Sequence, residues 1–316
     1  MSAPLFQFTV NEAVPGYWRI TFNNPALNFC DPETLIELQH IVSLIESEET
    51  LRVVVFDSAD PDFFVNHYDV SRLADFPLTP GPTGLPTFID TTTRLSASPV
   101  MTIALIRERT RGGGSEIALA CDMRFTSLKR AIFAQFEVGA GVLPGGGGTE
   151  RLPLLVGRAR ALEIVLGSDD FDATTAASYR WVNRALQDDQ LDAYVDNLAR
   201  RITSFDRPAL AEAKRLINHT ILPSADDLME TQGVFLNAFS WPTVPERGAR
   251  IAQKRDEVGS DFEARMGYHL GNLSTDTLLT VNVISCSRSS LTVHHRLTRR
   301  PYADTRFFNS CLLQCG

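Results

Sequence analysis

The chain has 316 residues, 44% of them apolar and 22% charged, which is typical of a globular protein with a sizeable core. Its formal net charge of -8 argues against a general nucleic-acid binder, because such a protein needs a basic face. No uninterrupted apolar run approaches the roughly 18 residues that a membrane span needs. We therefore expect a partner that is neither a nucleic acid nor a membrane.

The N-terminus and the cysteines bear on the compartment. The start, "MSAPLFQFTVNE", has neither the basic flank nor the apolar block of a secretory signal, so we expect a cytoplasmic protein, with mitochondria and peroxisomes left open. Five cysteines, at 30, 121, 286, 311 and 315, include no CxxC pair, which argues against a zinc cluster and a disulfide framework. We predict no metal site. Cys121, inside the apolar run "EIALACD", is interpreted as a small buried hydrophobic residue.

The first half of the chain alternates strand and helix patterns. The segments "LFQFTV" and "YWRITF", joined by "VPG", predict a two-stranded unit. The segment "DPETLIELQHIVSLIESEE" predicts a helix with Asp31 as N-cap and Pro32 at its first position. The runs "RVVVFDS" at 52–58 and "VMTIALI" at 100–106 are typical of strands buried on both faces. This order predicts an α/β fold with right-handed crossovers.

The second half is predominantly helical from about residue 145 and changes character near 270. Between the two buried strands, "FPLTPGPTGLP" indicates a surface loop. From Gly271 onward there is no Lys and no Glu, and this segment holds three of the five cysteines. We predict a core at 1–200, a helical layer at 201–268, and an atypical tail at 269–316 that is disordered or non-native.

Two glycine-rich runs, "GGGSE" at 112–116 and "GGGG" at 145–148, invite comparison with known glycine loops. Neither fits the spacing of a phosphate loop, a dinucleotide turn or a nucleophile elbow. The first run joins the strand "VMTIALI" to a helix, where unpaired N–H groups and the helix dipole suit an oxygen that becomes negative during a reaction. The second run allows another helix to begin close to the same place. Tight helix packing explains glycine runs equally well.

Two carboxylates accompany these runs. Glu116 lies one turn inside the helix that the first run begins, and Glu137 in "FAQFEVGAGVLP" precedes the second run. Two carboxylates beside an oxyanion site can activate and deliver water, or move a proton α to a carbonyl. The competing interpretation is that both are solvated surface glutamates.

The order of these motifs resembles the crotonase superfamily of enoyl-CoA hydratases and isomerases. The resemblance rests on "GGGSEIALACDMRF", "FEVGAGVLPGGGGTERLPLLVGRARALEIVLG" and "WVNRAL", and it covers roughly residues 5 to 265. It implies an α/β fold with a crotonase-like ββα superhelix core and a helical C-terminal trimerisation layer. It also implies an acyl-CoA substrate, no cofactor besides that thioester, and a homo-oligomer, either a trimer or a dimer of trimers. Apolar faces for assembly are predicted at Leu198, Ile202 and Leu216.

The resemblance also implies roles for individual residues. The backbone N–H groups of Gly113 and Tyr68 match the family's oxyanion donors, and Glu116 and Glu137 match its catalytic pair. By resemblance, Glu137 delivers a proton at C2 and Glu116 orients water. The residues predicted against the substrate are Ala26, Asn66, His67, Asp69, Val70, Ser71, Gly112 and Gly145.

The chain departs from the family's pattern at two places. Asn66, His67 and Tyr68 replace the usual small residues of the donor loop. His67 either joins the acid–base chemistry or is a pocket-lining or surface histidine. Glu108 stands at a position where glycine is usual and adds a charge beside the oxyanion strand. The leading hypothesis is hydration of a trans-2-enoyl-CoA. The alternatives are a Δ3-Δ2-enoyl-CoA isomerase or related reaction using Glu137 alone, and a non-catalytic CoA-binding scaffold.

Overall fold

A computed structural model describes residues 5–273. The predictions made for the tail at 269–316 fall almost wholly outside the described residues. The strands within the described part are β1 (Phe8–Val14), β2 (Tyr17–Phe22), β3 (Val53–Ser58), β4 (Met101–Ile106), β5 (Thr110–Arg111), β6 (Met123–Ser127), β7 (Ile132–Ala134), β8 (Phe171–Asp172) and β9 (Arg184–Leu186).

The helices fill the gaps between the strands and then the C-terminal part of the described chain. They are α1 (Pro32–Ser47), α2 (Thr87–Ala97), α3 (Gly113–Ala120), α4 (Gly148–Val156), α5 (Arg158–Gly167), α6 (Ala173–Ser178), α7 (Asp188–Thr203), α8 (Arg207–Asn218), α9 (Ala225–Ala238), α10 (Val244–Val258), α11 (Asp261–Ala264) and α12 (Met266–Gly271). A short 3₁₀ helix covers Val70–Asp75. In the described residues, no helix is both long and apolar enough to cross a membrane.

The larger sheet has six strands in the order β1-β2-β3-β4-β6-β9. Strands β1 and β2 pair antiparallel, with Phe8 opposite Phe22, which confirms the predicted two-stranded unit. From β2 onward the pairs are parallel. Each parallel pair requires a crossover, which the intervening helices provide. The carboxyl ends of β3 and β4 therefore lie at the same edge of the sheet.

The sheet is covered on both faces, as the apolar runs predicted. Val54 and Ala104 point into the larger core, which includes residues of α1 and α3. Val53 and Ile103 point the other way, into a second core that α7 closes with Leu191, Val195, Ala199 and Ile202. Successive residues of a strand face opposite sides, so a continuous β-branched run satisfies two cores at once.

Helix α1 begins where the sequence predicted. The Asp31 side chain accepts a hydrogen bond from the Thr34 N–H at 2.8 Å, and the Thr34 hydroxyl lies within hydrogen-bond distance of the Asp31 backbone N–H. This reciprocal capping box satisfies N–H groups that a helix leaves unpaired at its start, with Pro32 at the first helical position.

The smaller sheet, β5-β7-β8, places the first glycine run beside Glu137. Strands β5 and β7 pair in parallel, with Arg111 opposite Ala134. The first glycine run follows β5 directly, and Glu137 lies three residues after β7. Their parallel pairing therefore places Gly112 and Glu137 at the same end of this sheet.

One sequence interpretation needs revision. Ile202 and Leu198, which we expected on an assembly surface, pack instead against the chain's own sheet. Helix α7 is amphipathic because it covers that sheet, and amphipathicity alone does not distinguish a covering helix from an interface helix. Leu216 on α8 is 57% exposed. The predicted boundary between the core and the helical layer, at residue 200, lies within α7. The domain limits stay predictions.

Candidate active site

The three glycines of the first run have different structural roles. Gly112, with φ +48°, lies just before α3 in a backbone conformation that side-chain-bearing residues rarely adopt. A Cβ on Gly113 would make only ordinary contacts, the nearest at 3.7 Å, so packing does not require glycine at this position. A Cβ on Gly114 would overlap the Val65 carbonyl oxygen. Gly114 is thus required by packing, as the competing interpretation held, whereas Gly112 and Gly113 border the site.

Replacing Gly114 by Ala is expected to destabilise the fold by about 1–3 kcal/mol, as overpacking against a backbone atom typically does. Neither α3 nor the Val65 backbone can rotate aside as a flexible side chain would. Urea unfolding of the variant measures the change. Gly167→Ala is the control, because its Cβ would meet nothing within 4 Å. Wild-type stability for Gly114→Ala would contradict the close contact between α3 and the loop that contains Val65.

The orientation of the Tyr68 N–H is fixed from the opposite side by Cys30. The Cys30 N–H donates to the His67 carbonyl at 3.1 Å, and the Asp69 N–H donates to the Cys30 carbonyl at 2.8 Å. In such a parallel bridge the N–H and carbonyl of the residue between the two bonded positions face away from the partner strand. The Tyr68 N–H therefore points away from Cys30 and, within the described residues, has no acceptor.

The Gly113 and Tyr68 amides are neighbours. A Cβ on Gly113 would lie 3.7 Å from the Tyr68 backbone nitrogen. The Gly113 N–H is at the first position of α3, where no acceptor exists within the helix. Two N–H groups without acceptors in the described chain therefore lie side by side, at the positive end of a helix dipole. This is the arrangement that an oxyanion requires.

Asn28, which sequence reasoning missed, holds the loop that carries Tyr68. Its buried amide donates to the carbonyl oxygens of Phe64 at 2.7 Å and Phe63 at 3.2 Å, and its backbone carbonyl oxygen accepts the Asn66 N–H at 2.9 Å. Its φ of +50° is tolerated better by Asn than by most residues. The motif "NPALNFC" contains the signal, since a buried Asn after a turn serves as a backbone clamp.

Glu116 is 3% exposed and is held by the second glycine run. Its Oε1 accepts the Gly146 N–H at 2.7 Å and the Gly148 N–H at 2.9 Å. Burial raises the pKa of Glu116 to about 7, while the two N–H groups oppose the shift, the Glu150 charge adds to it and the Arg151 charge opposes it. The second run therefore does more than let α4 begin nearby, because its N–H groups stabilise the Glu116 carboxylate.

Glu137 has a less favourable environment for its anion. It is 8% exposed, its Oε1 accepts one hydrogen bond from the Gln135 side chain at 2.9 Å, and its buried Oε2 has no partner in the described residues. Burial, followed by the Glu116 charge, raises the pKa of Glu137 well above its ordinary range. The two carboxylates therefore differ, and Glu137 holds its proton more tightly than Glu116.

The backbone lies close to these two carboxylates at Gly112 and Gly146. A Cβ on Gly112 would lie 3.0 Å from Glu137 Oε1, and one on Gly146 would lie 2.6 Å from Glu116 Oε2. A Cβ on Gly145 would overlap the Phe235 ring. The predicted substrate contact at Gly145 thus lies against an aromatic side chain of α9.

Aromatic side chains continue from this point to the loop that carries Tyr68. The Phe235 ring lies 6.3 Å from that of Phe76, and Phe76 lies 5.0 Å from Tyr68 in an edge-on arrangement. The Tyr68 hydroxyl donates to the Arg72 carbonyl at 3.2 Å, so its hydrogen is bound by the backbone of its own loop. This side of the site is apolar.

The other predicted substrate contacts differ in their placement. Asp69 caps the 3₁₀ helix through its side chain, and the Ser71 hydroxyl donates to it at 2.6 Å. Val70 is 56% exposed, and Ala26 lies in an exposed loop after β2. Asn66 and His67 are buried, and both contact Glu263 of α11. The first group borders the surface, whereas the second forms part of the loop's support.

Glu108 does not point into the site. Its carboxylate lies 3.5 Å from Arg130 and 4.0 Å from Arg107. Burial raises its pKa to about 8, although these two arginines oppose the shift. The Glu108 carboxyl therefore lies beside two arginines, and its raised pKa favours the protonated, uncharged form at neutral pH. Cys121 is buried at the end of α3, and burial raises its pKa to about 12, as a structural thiol requires.

Comparison with known proteins identifies the family. The family model described as enoyl-CoA hydratase/isomerase matches residues 12–240. This chain belongs to the enoyl-CoA hydratase/isomerase family. Among curated members of the family, a short-chain-enoyl-CoA hydratase of Clostridium acetobutylicum is 31% identical over 244 residues, covering 76% of this chain and 92% of that protein.

Solved structures of the family share the fold. A crystal structure of a candidate enoyl-CoA hydratase from Streptomyces avermitilis has a TM-score of 0.81 and 37% identity, covering 87% of this chain and 99% of that one. An enoyl-CoA hydratase structure from Bacillus anthracis has a TM-score of 0.63 and 26% identity, covering 74% and 90%. The predicted crotonase-like α/β fold with a helical C-terminal region is thereby confirmed.

Proposed function

We propose that this family member is an enoyl-CoA hydratase, which adds water across the double bond of a trans-2-enoyl-CoA or catalyses the reverse dehydration. One observation carries the proposal: two buried carboxylates with unlike environments, Glu116 and Glu137, lie beside two N–H groups that have no acceptor in the described residues. Names of family members support it, since the Clostridium acetobutylicum relative is called a short-chain-enoyl-CoA hydratase.

The thioester oxygen is the proposed acceptor for the Gly113 and Tyr68 N–H groups. When water adds to C3, electrons move to this oxygen and an enolate forms. Preorganised N–H groups at a helix start stabilise that charge without reorganising during the step. The thioester of coenzyme A is the substrate, and proton transfer with oxyanion stabilisation accounts for every bond change, so the proposal names no further cofactor.

The different environments of the two carboxylates support an assignment of which one accepts a proton and which one donates one. Glu116, whose anion two N–H groups stabilise, takes a proton from water as the water oxygen bonds to C3. Glu137, which keeps its proton because burial disfavours its anion, donates that proton to C2. One proton enters the carboxylate pair and one leaves it. The product is a 3-hydroxyacyl-CoA, and the pair regains its starting state when a proton passes from Glu116 to Glu137 or exchanges with water.

Assays of the full chain test this proposal. With trans-2-enoyl-CoAs from crotonyl to long-chain, we expect the absorbance of the conjugated thioester to fall as water adds. With trans-3-enoyl-CoAs, we expect that absorbance to rise much more slowly. Turnover of the trans-3 substrates alone would favour the isomerase instead, and binding without turnover of either would favour the scaffold.

The Gly113 N–H can be removed with a matched control. Gly113→Pro is expected to lower kcat by about 100- to 1000-fold, the cost of losing one oxyanion donor. Proline is tolerated at a first helical position, so the fold should persist. Gly113→Ala keeps the N–H, and its Cβ would make only ordinary contacts, the nearest at 3.7 Å. Stopped-flow hydration of crotonyl-CoA measures both variants; equal activity of the two would remove Gly113 from the proposed oxyanion hole.

Exposed apolar residues on α8 support a proposal about assembly. Leu216 and Ile217 on α8 are 57% and 62% exposed, which is unusual for adjacent large apolar residues. We propose that this face takes part in a homo-oligomer, a trimer or a dimer of trimers, and that the protein works in the cytoplasm.

A further inference from the structure

His67 is held through both ring nitrogens. Its Nδ1 lies 2.7 Å from the Tyr68 carbonyl oxygen, and its Nε2 lies 3.2 Å from Glu263 Oε2. The ring is buried between Phe29 and Phe136, at centroid distances of 4.9 and 5.3 Å. Both nitrogens therefore face protein oxygens rather than water.

The hydrogen positions follow from the partners. A carbonyl oxygen only accepts, so Nδ1 must carry its hydrogen and donate to Tyr68. Nε2 and Glu263 Oε2 then share the other hydrogen, and the contact is charge-assisted. Although burial raises the pKa of Glu263, the hydrogen bond and charge of His67, with Arg255 and Asn66, hold it below its ordinary value. The Glu263 carboxylate therefore lies against Nε2, while Nδ1 donates to the Tyr68 carbonyl oxygen.

Glu263 is itself fixed in position. Its carboxylate also lies 3.3 Å from the Asn66 side-chain nitrogen and 3.3 Å from Arg255. Its backbone carbonyl oxygen accepts a hydrogen bond from Arg111 at 2.7 Å, and that arginine is 0% exposed. Arg111 is the last residue of β5, immediately before the first glycine run. Helix α11 is therefore attached to both halves of the proposed oxyanion hole, to one half through Arg111 and to the other through His67.

These contacts meet at the Tyr68 backbone. The peptide before Tyr68 carries the proposed donor N–H and is bonded on its far side to Cys30. The peptide after Tyr68 is fixed by the Asp69 bond to Cys30 and by the His67 ring. Turning the Tyr68 N–H away from Gly113 would break the Cys30 bond to the His67 carbonyl oxygen, and the His67 ring holds the peptide that follows Tyr68. Neither nitrogen of His67 reaches Glu116 or Glu137, so acid–base work is not its role here.

We propose that Glu263 of α11 is a positioning residue for the oxyanion hole, acting through His67 on the Tyr68 backbone. This inference rests on the proposed function, because it assigns the Tyr68 N–H to the thioester oxygen. It gives the segment Asp261–Ala264 a part in the reaction, although Glu263 lies 196 residues beyond His67 in the chain. It also gives a reason for His67 in a loop where smaller residues are usual.

Kinetic variants test the proposal. Glu263→Ala and His67→Ala are each expected to lower kcat for crotonyl-CoA hydration by about 10- to 100-fold, the effect of misplacing a reacting group slightly. KM should change less than about threefold. Glu263→Gln keeps an acceptor oxygen and should recover most of the loss. The double variant should lose no more than either single one, since both act through one path.

The matched control is Glu257→Ala on α10. Glu257 is exposed, and its partners among the described residues are Gln253 and Lys254 of the same helix, at 2.9 and 3.2 Å. This variant should keep wild-type kcat. A kcat unchanged in both Glu263→Ala and His67→Ala, a loss confined to KM, or additive losses in the double variant would each overturn the proposal. If Glu263→Ala does not fold, His67→Ala and Glu263→Gln carry the same comparison.

A measurement without turnover separates this proposal from the hydratase assignment. In proton NMR of the full chain, the His67 Nδ1 hydrogen should give a slowly exchanging downfield signal that is lost in His67→Ala and shifted in Glu263→Gln. Its absence from the wild-type protein would overturn the positioning contact. A wild-type protein that shows this signal but hydrates no enoyl-CoA would instead refute the proposed function.

Discussion

Glu137→Gln is expected to lower kcat for hydration of crotonyl-CoA by about a thousandfold, within the range for loss of a general acid. Glutamine matches glutamate in size and can still contact Gln135, so the fold should be retained, but it has no proton to give to C2. The proposed oxyanion donors are unchanged, so KM should remain within a few-fold. Steady-state loss of the conjugated thioester absorbance measures both constants.

The control for this variant is Glu163→Gln on α5. Glu163 is a surface residue whose carboxylate contacts the Tyr179 hydroxyl, and the substitution should leave kcat unchanged. A Glu137→Gln enzyme with kcat within about threefold of wild type would remove Glu137 from the chemistry. A similar fall in kcat for the Glu163→Gln variant would indicate a fault in the protein preparation and not a role of Glu137.

Glu116→Gln is the second large effect and separates the candidate reactions. The glutamine side chain can still accept the N–H groups of Gly146 and Gly148, but it cannot take a proton from water. Hydration of trans-2 substrates should fall by at least about a hundredfold. An isomerase that uses Glu137 alone would keep its turnover of trans-3 substrates. Undiminished hydration by this variant would contradict the two-glutamate mechanism.

The same variant should change how stability depends on pH. The unfolded chain loses the Glu116 proton near pH 4.5, whereas the folded chain keeps it until pH about 7. Between these values the folded state binds more protons, so the free energy of unfolding decreases as pH rises. Urea unfolding at pH 5 and pH 8 should show this decrease in the wild type and a smaller one in Glu116→Gln. An equal decrease in both proteins would show that Glu116 does not hold its proton in the folded chain.

Local sequence determined the elements that depend on neighbouring residues. The capping box at Asp31, the buried run at Val53–Ser58 and the glycines before α3 were predictable because hydrogen bonding, periodicity and φ leave local marks. The pair Glu116 and Glu137 was predicted from the positions of both residues beside the glycine runs and from the order of motifs, and its catalytic role stays a prediction.

Contacts between distant segments could not be predicted in the same way. Cys30 faces Tyr68 because two loops run parallel, and Glu263 reaches His67 across the folded domain. A sequence shows such residues only as a buried thiol and a charged helix position. Ile202 illustrates the converse error, since its helix pattern suited an interface and a covering role equally.

The most direct test of the central claim uses water enriched in oxygen-18. The purified full chain is incubated with trans-2-crotonyl-CoA in this water, and the products are identified by mass spectrometry. We predict 3-hydroxybutyryl-CoA that carries one oxygen-18 at C3, formed by the wild type and nearly absent with Glu116→Gln and Glu137→Gln. Recovery of unlabelled substrate alone, or of an isomer without oxygen-18, with no labelled 3-hydroxybutyryl-CoA would contradict the assignment of this chain as a hydratase.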